Sequence, residues 1–337
     1  MKHLSLLLLA LLAALVGGAV VWQPDTVLGS GFEARYVTHP DDYSGPVRST
    51  VVRHRSPCAD TTAILYVHGY NDYFFQAEEA ERIADSCYHF YAVDLRKYGR
   101  SLMPGQLPFE VRDISEYYAD IDSALTAMRA DGVRRVILMG HSTGGLVTSS
   151  YMSAHPDTIV RALVLNSPFL EWNMNGFMRN IATPFVGFLG RIFPRIAISQ
   201  GTKESPYGQS LLSSHHGEWT FNTGWKTLVP RKVQSSWIGA ITRAQRAVRR
   251  GRINVPVLLM HSDSSAFGDE WTPKFQRADG VLNVDHMRAL GPRLGTDVDL
   301  RTIPDGMHDL YLSAPEPRDS AFSALFRWLR DHNFAHE

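Results

Sequence analysis

"ILMGHSTGGLVTS" occupies residues 137–149. An apolar, strand-like run stops at Gly140, a single serine, Ser142, stands among small residues, and a helix-like run follows. The stretch matches G-x-S-x-G, which is weak as a bare pattern; the strand before it and the helix after it give it weight. A strand-to-helix turn this tight forces unusual backbone angles on the serine, and Gly140 and Gly144 remove side chains that would clash there. The hydroxyl of Ser142 is then expected to stand exposed above the end of a sheet. The N-terminus of the following helix lies beneath it and favours developing negative charge. The competing reading is that Ser142 is a helix N-cap and nothing more.

Outward from this turn the chain alternates strand and helix patterns. "EARYVTH" and "TVVRHR" read as an early hairpin, and "AILYVH", "HFYAVD", "RRVILMG", "VRALVLNSP", "VPVLLMHS" and "DVDLRTIP" as buried strands. Between them "QAEEAERIADS", "DISEYYADIDSALTAMRADG", "GGLVTSSYMSAH" and "PRDSAFSALFRWLRDH" read as helices; Asp113 and Glu116 form a capping-box pattern and Gly132 sits at a C-cap position. Such alternation predicts an α/β fold, a mostly parallel sheet with helices on both faces. No internal repeat interrupts it.

One segment breaks the rhythm. Residues 171–252 lack a clear strand and are rich in aromatic and apolar side chains, Trp172, Phe185, Trp219 and Trp237 among them. An insertion this long between two sheet strands is expected to be a helical cap, dividing a core of residues 31–170 and 253–337. The basic run at residues 243–252 reads as a solvated helix face.

The 337 residues are 44% apolar and 20% charged, an ordinary globular composition, and 34 Lys+Arg balance 34 Asp+Glu. Charge gives no support to a nucleic-acid partner. Residues 4–22 carry no charge and follow Lys2 and His3. Within residues 1–30 this run reads either as a signal peptide, with Gly17, Gly18 and Ala19 at a small-residue cleavage site, or as a membrane anchor with Trp22 at the interface. Both readings export the rest of the chain and leave room for membrane association through the N-terminus. After export Cys58 and Cys87 become candidates for one disulfide, since each lies just before a predicted strand.

A serine alone is a poor nucleophile and needs a base and a group that orients the base. In this architecture the order along the chain is serine, acid, histidine. His308, in the loop after the last predicted strand, is the expected general base. His141 lies beside the serine but is expected to point elsewhere, and His215 and His216 fall in the cap. Backbone amides for an oxyanion are expected from Tyr70, in "YVHGYND", and from Thr143. His68 reads as a structural histidine packed beneath the turn.

With those residues in view, "YVHGYND", "YAVDLRKYGRS", "GHSTGG", "VLNSPF" and "GMHDLYLS" resemble the monoacylglycerol lipase and lysophospholipase branch of the α/β-hydrolases, often labelled serine aminopeptidase-like. The resemblance covers residues from about Ser49 to the C-terminus. It implies an eight-stranded sheet, a cap, no cofactor and ester hydrolysis. The chain departs from the family at the acid. Where the family closes a turn of the type H-G-x-x-D, this chain has "MHSDSSAFGDEW", with Ser265 in the aspartate position and Asp263 two places early. The family's acid is followed by apolar residues and a helix start, a pattern that "DGVLNVDHMRAL" shows from Asp279. Asp279 lies 29 residues before His308, near the family's usual gap. Asp279 is therefore the expected acid, with "SSAFGDEWTPKFQRA" as an insertion in the loop; Asp263, Asp285 and Glu171 are the alternatives.

The leading expectation is a serine hydrolase acting on a small-molecule acyl ester, a monoglyceride or lysophospholipid. The rival from another class is an inert binding or scaffold protein on the same fold. A third reading, chemistry on epoxides or haloalkanes, normally needs an aspartate where Ser142 stands. A peptidase would need acidic groups to capture a free amine, and none is assigned.

Overall fold

The structure, a computed structural model, describes residues 21–58, 61–155 and 159–334. The apolar run at residues 4–22 therefore lies outside the described residues except at Val21 and Trp22. Among the described residues eleven strands are formed: β1 (Gln23–Pro24), β2 (Phe32–Asp42), β3 (Gly45–His54), β4 (Thr62–Val67), β5 (His89–Asp94), β6 (Arg135–His141), β7 (Val160–Asn166), β8 (Ala197–Ile198), β9 (Val233–Gln234), β10 (Val257–Ser262) and β11 (Val298–Ile303). Nine of them make one sheet in the order β1-β2-β3-β5-β4-β6-β7-β10-β11. From β5 to β11 neighbours run parallel, whereas β2 and β3 form an antiparallel hairpin that joins antiparallel to β5. The sheet thus has nine strands rather than the expected eight. The extra one, β1, is two residues long, too short to leave a periodic pattern, and its Pro24 suits an edge.

The sheet is covered on both faces because its central strands are apolar on both. Ala63, Leu65 and Val67 of β4 face a core shared with Ala124 and Leu125 of one helix and Leu146 and Val147 of another. Ile64 and Tyr66, pointing the other way, meet Ala80, Ile83, Phe322 and Leu325. This is the two-residue alternation of a strand buried on both sides. The helices on the first face are Tyr118–Ala130 and Thr143–Ala154, and on the second Ala77–Asp85 and Pro315–Asp331. The capping box of Asp113 and Glu116 is present, but it opens a 3₁₀ turn, Ile114–Tyr117, which leads into the helix.

Between β7 and β10 the chain forms the helices Thr183–Ile192, Pro206–Leu211 and Ser235–Val248. It also forms the small antiparallel pair β8–β9, and neither strand joins the main sheet. The first and third helices cross closely at Gly187 and Gly239, where a Cβ on Gly187 would meet the Cα of Gly239 at 2.8 Å. Of the basic run, Arg246, Arg250 and Arg252 are exposed, while Arg249 pairs with Glu171 at 2.7 Å.

Two tethers lie outside the sheet. Cys58 and Cys87 are joined, their Cα atoms 5.3 Å apart, just before the parallel neighbours β4 and β5. Near the N-terminal end, Asp25 accepts from the backbone amides of Val27 and Leu28 and from the buried guanidinium of Arg100 at 2.7 Å. Arg100 also donates to Asp94 at 2.9 Å and to the Phe74 carbonyl at 2.8 Å. Paired and hydrogen-bonded on several sides, this cation is held in an interior that would otherwise exclude it.

Candidate active site

Ser142 sits between β6 and the helix Thr143–Ala154 with φ 54° and ψ −118°, a conformation that most residues avoid. The flanking glycines have a steric reason. A Cβ on Gly140 would meet the Thr148 hydroxyl at 2.4 Å, and one on Gly144 would meet the Val67 carbonyl oxygen at 2.2 Å. The turn is therefore pressed against the end of β4, and only glycine fits at either position. The serine is not exposed as expected: it is 8% accessible, at a cavity walled in part by residues of the segment between β7 and β10.

His308, in the loop after β11, lies with Nε2 2.9 Å from Ser142 Oγ. Its Nδ1 is 2.9 Å from Asp279 Oδ2. A carboxylate only accepts, so Nδ1 carries the proton and donates to Asp279, leaving Nε2 to accept from the serine hydroxyl. The other oxygen of Asp279 accepts from the amides of Val281 at 2.9 Å and Leu282 at 2.7 Å. Asp279 is fully buried and so is held by three donors.

The alternatives for the acid lie elsewhere. Asp263 is exposed and accepts from the Asp305 amide at 3.3 Å; Asp285 pairs with Arg288 at 3.0 Å; Glu171 pairs with Arg249. The loop between them explains the spacing. Asp279 donates its amide to the Ser264 carbonyl at 2.9 Å, and its own carbonyl accepts from the Ala266 amide at 2.8 Å. Residues 266–278 thus leave and re-enter at a closed neck, which sets Asp279 beside Ser265.

Tyr70 and Thr143 both line the cavity above Ser142. Thr143 opens its helix, so its amide has no acceptor within that helix. The Tyr70 hydroxyl donates to the Arg231 carbonyl at 3.1 Å. His68 is satisfied at both ring nitrogens, donating to the Gly69 carbonyl and accepting from the Leu95 amide, as a structural histidine would be. His141 departs from expectation: its ring packs 4.8 Å from that of His308. Burial pushes the pKa of His141 down to about 4, and the neighbouring His308 adds to this against opposing pulls from Asp309 and Asp72. His215 lies by Glu204 at 3.2 Å and His216 stacks on Trp271.

Several residues of the site carry no obvious mark in the sequence. Asp309, next to His308, is buried and accepts from Asn166 at 2.8 Å and Gln76 at 3.1 Å, which fixes the loop that carries the histidine. Lys226 is buried at the cavity wall with its Nζ 3.0 Å from Asp72. The cavity measures about 320 Å³, and Trp172, Leu228, Trp237 and Val281 make much of it apolar.

Residues 59–313 match the family described as serine aminopeptidase, S33. The chain belongs to that family of α/β-hydrolases. Among curated relatives, epoxide hydrolase 4 of Mus musculus is 29% identical over 105 residues, which is 31% of this chain and 28% of that protein. The chain therefore aligns with little more than a quarter of that relative. Among solved structures, a soluble variant of the Saccharomyces cerevisiae monoglyceride lipase superposes with a TM-score of 0.65 at 16% identity, over 92% of this chain and 99% of that one. The Paleococcus ferrophilus monoacylglycerol lipase gives 0.62 at 21% identity, over 84% and 98%. At such identities the likeness concerns the fold: this S33-family chain has the α/β-hydrolase fold, and its chemistry is argued from its own side chains.

Proposed function

We propose that this hydrolase cleaves carboxylic esters of lipid type, monoglycerides or lysophospholipids, through an acyl-enzyme on Ser142. The observation that carries the reading is the unbroken hydrogen-bond chain from Ser142 through His308 to Asp279. In the first half-reaction His308 Nε2 takes the hydroxyl proton as Ser142 Oγ attacks the ester carbonyl. The amides of Tyr70 and Thr143 donate to the oxyanion, and Asp279 steadies the imidazolium through Nδ1. The proton on Nε2 then passes to the departing alkoxide, leaving the acyl-serine and free alcohol. Water repeats the sequence: His308 deprotonates it as it attacks the acyl carbonyl, the acyl bond to Ser142 breaks as His308 returns that proton to Ser142 Oγ, and the carboxylic acid leaves.

The walls of the cavity support this substrate class. Apolar side chains suit an acyl chain, and residues 171–252 act in this reading as the cap that holds it. The family name points to peptides, but among the described lining residues Asp72 is the one carboxylate, and Lys226 engages it. No free anion is left there to capture an amine. The epoxide hydrolase relative raises a second chemistry, which we set aside because Ser142 stands where that chemistry normally needs an aspartate.

A lipid surface fits the exterior of the same segment. Phe177, Ile181, Phe185, Phe188, Ile192 and Phe193 are all exposed. Between Glu171 and Glu204 every charged side chain is basic: Arg179, Arg191, Arg195 and Lys203. Arg195 is paired with Glu110 and Arg179 lies near Glu171, so it is the apolar side chains, with Arg191 among them, that suit this face to the surface of a bilayer. The uncharged run at residues 4–22 adds a second membrane contact if retained, and export would suit the Cys58–Cys87 bridge. The test is a series of p-nitrophenyl esters of rising chain length, with Ser142→Ala as control. Turnover that rises with chain length and vanishes in the control supports the reading; equal turnover by Ser142→Ala overturns it.

A further inference from the structure

The inserted loop at residues 266–278 is tied at its neck to the acid that touches His308 and at its tip to the helix that carries a second residue against that histidine. At its neck is Asp279, which accepts from His308 Nδ1. At its tip is Trp271, whose indole N–H donates to the Ser210 hydroxyl at 2.9 Å and whose ring stacks on His216 at 3.5 Å. Gln276 adds a hydrogen bond to the His216 carbonyl. Ser210 lies in the helix Pro206–Leu211, and the same helix carries Tyr207.

Tyr207 reaches the catalytic loop directly. Its hydroxyl accepts from the Asp309 amide at 3.2 Å, and its ring stands edge-on to His308, centroids 5.4 Å apart at 83°. Burial and the nearby Asp309 and Asp72 hold its phenol pKa well above the ordinary value, so it stays protonated. Gly280 lies between the insertion and Tyr207. A Cβ on Gly280, the residue after Asp279, would meet the Phe275 ring at 2.8 Å and the Tyr207 Cβ at 3.3 Å. Phe275 packs with Trp271, Ala266 and Ala278 in a small apolar cluster of the loop's own.

We propose that residues 266–278 form a strap that ties the acid-bearing loop to the helix Pro206–Leu211 and, through Tyr207, fixes the orientation of His308. The proposal rests on the serine-hydrolase reading for its kinetic consequence. Tyr207 and Trp271 are positioning residues in it: neither moves a proton. The imidazole is held by Asp279 on one nitrogen and braced by the perpendicular ring of Tyr207, and one loop supports both. Orientation of a base matters steeply, since an ångström of misplacement can cost about 10²-fold in rate.

The test is a double-mutant cycle of Tyr207→Leu and Trp271→Ala on a soluble p-nitrophenyl ester. Each single change is expected to lower kcat about tenfold, within that range, with KM little altered. The double variant should fall no further than the worse single one, because both act through one contact. Losses that multiply, or full kcat in Trp271→Ala, overturn the strap. Trp271→Phe keeps the stack on His216 and loses only the N–H; it should show a smaller loss and takes over the cycle if Trp271→Ala fails to fold. Hydrogen–deuterium exchange over Pro206–Leu211 reads the tether without any activity. Faster exchange in the Trp271 variant supports the strap, and unchanged exchange overturns it. If Ser142→Ala proves as active as the parent, the hydrolase reading has failed, and the exchange result still decides the strap.

Discussion

Asp279 lies 2.9 Å from the Nδ1 of His308 because its backbone pairs with that of Ser264 and Ala266 across the base of the inserted loop. An orienting aspartate of this kind can be worth on the order of 10⁴ in turnover. Asp279→Asn should therefore lose most activity while circular dichroism stays native. Asp263→Asn should keep it, since Asp263 is exposed and bonded to the Asp305 amide. Parallel kinetics on the two variants check this; swapped phenotypes would return the role to Asp263.

Ser142→Ala should fold normally and show no ester turnover or labelling by a fluorophosphonate probe. The hydroxyl meets one partner, His308, at the floor of a cavity, so its loss opens no new void in the core. A probe adduct recovered on any other residue would sink the assignment.

His141 gives the fold a pH dependence of known sign. Its native pKa is about 4 against 6.5 for the free side chain. Between those values the unfolded chain takes up a proton that the native state refuses, so stability falls as pH drops through the window and levels off below it. The loss is at most about 3 kcal/mol. Urea denaturation at pH 7 and pH 4.5 should show it, and His141→Gln should flatten the difference.

Reduction of Cys58–Cys87 should destabilise the protein by about 3 to 4 kcal/mol on chain-entropy grounds. Protein purified from an oxidising compartment should yield the linked peptide in mass spectrometry without reduction. Two alkylatable thiols would contradict the bridge.

The exposed face over Phe185 and Phe188 should bind vesicles that contain anionic lipid. Phe185→Asp with Phe188→Asp is expected to reduce co-sedimentation while leaving hydrolysis of a short soluble ester intact. Both rings are more than half accessible, 60% and 57%, so the changes open no core cavity. If the parent instead forms dimers and ignores vesicles, a second copy covers this face.

What the sequence makes legible follows how local the cause is. The turn at Ser142 is written in neighbouring residues: the strand, the two glycines and the helix are contiguous. His308 follows from its place after the last strand. Asp279 can be read only through its spacing and the apolar residues after it, because the neck that seats it is a backbone pairing between Ser264–Ala266 and Asp279, which no side-chain pattern records. Tyr207, Lys226 and Asp309 are not legible at all. Each is functional or structural only through a partner far away in the chain: His308, Asp72, and Asn166 with Gln76. The ring of His141 falls against His308 for the same reason.

The salt bridge of Asp25 to Arg100 ties the start of the described chain to the buried interior. A peptidase that trims the N-terminus anywhere before Asp25 leaves the guanidinium neutralised on both sides. One cut further on would remove one of its two carboxylates and the turn that Asp25 holds at Val27 and Leu28. Asp25 thus belongs to the folded body, as do Trp22, which packs on Arg53 and Tyr91, and β1; any trimming of the N-terminus that keeps this fold would have to fall before Trp22.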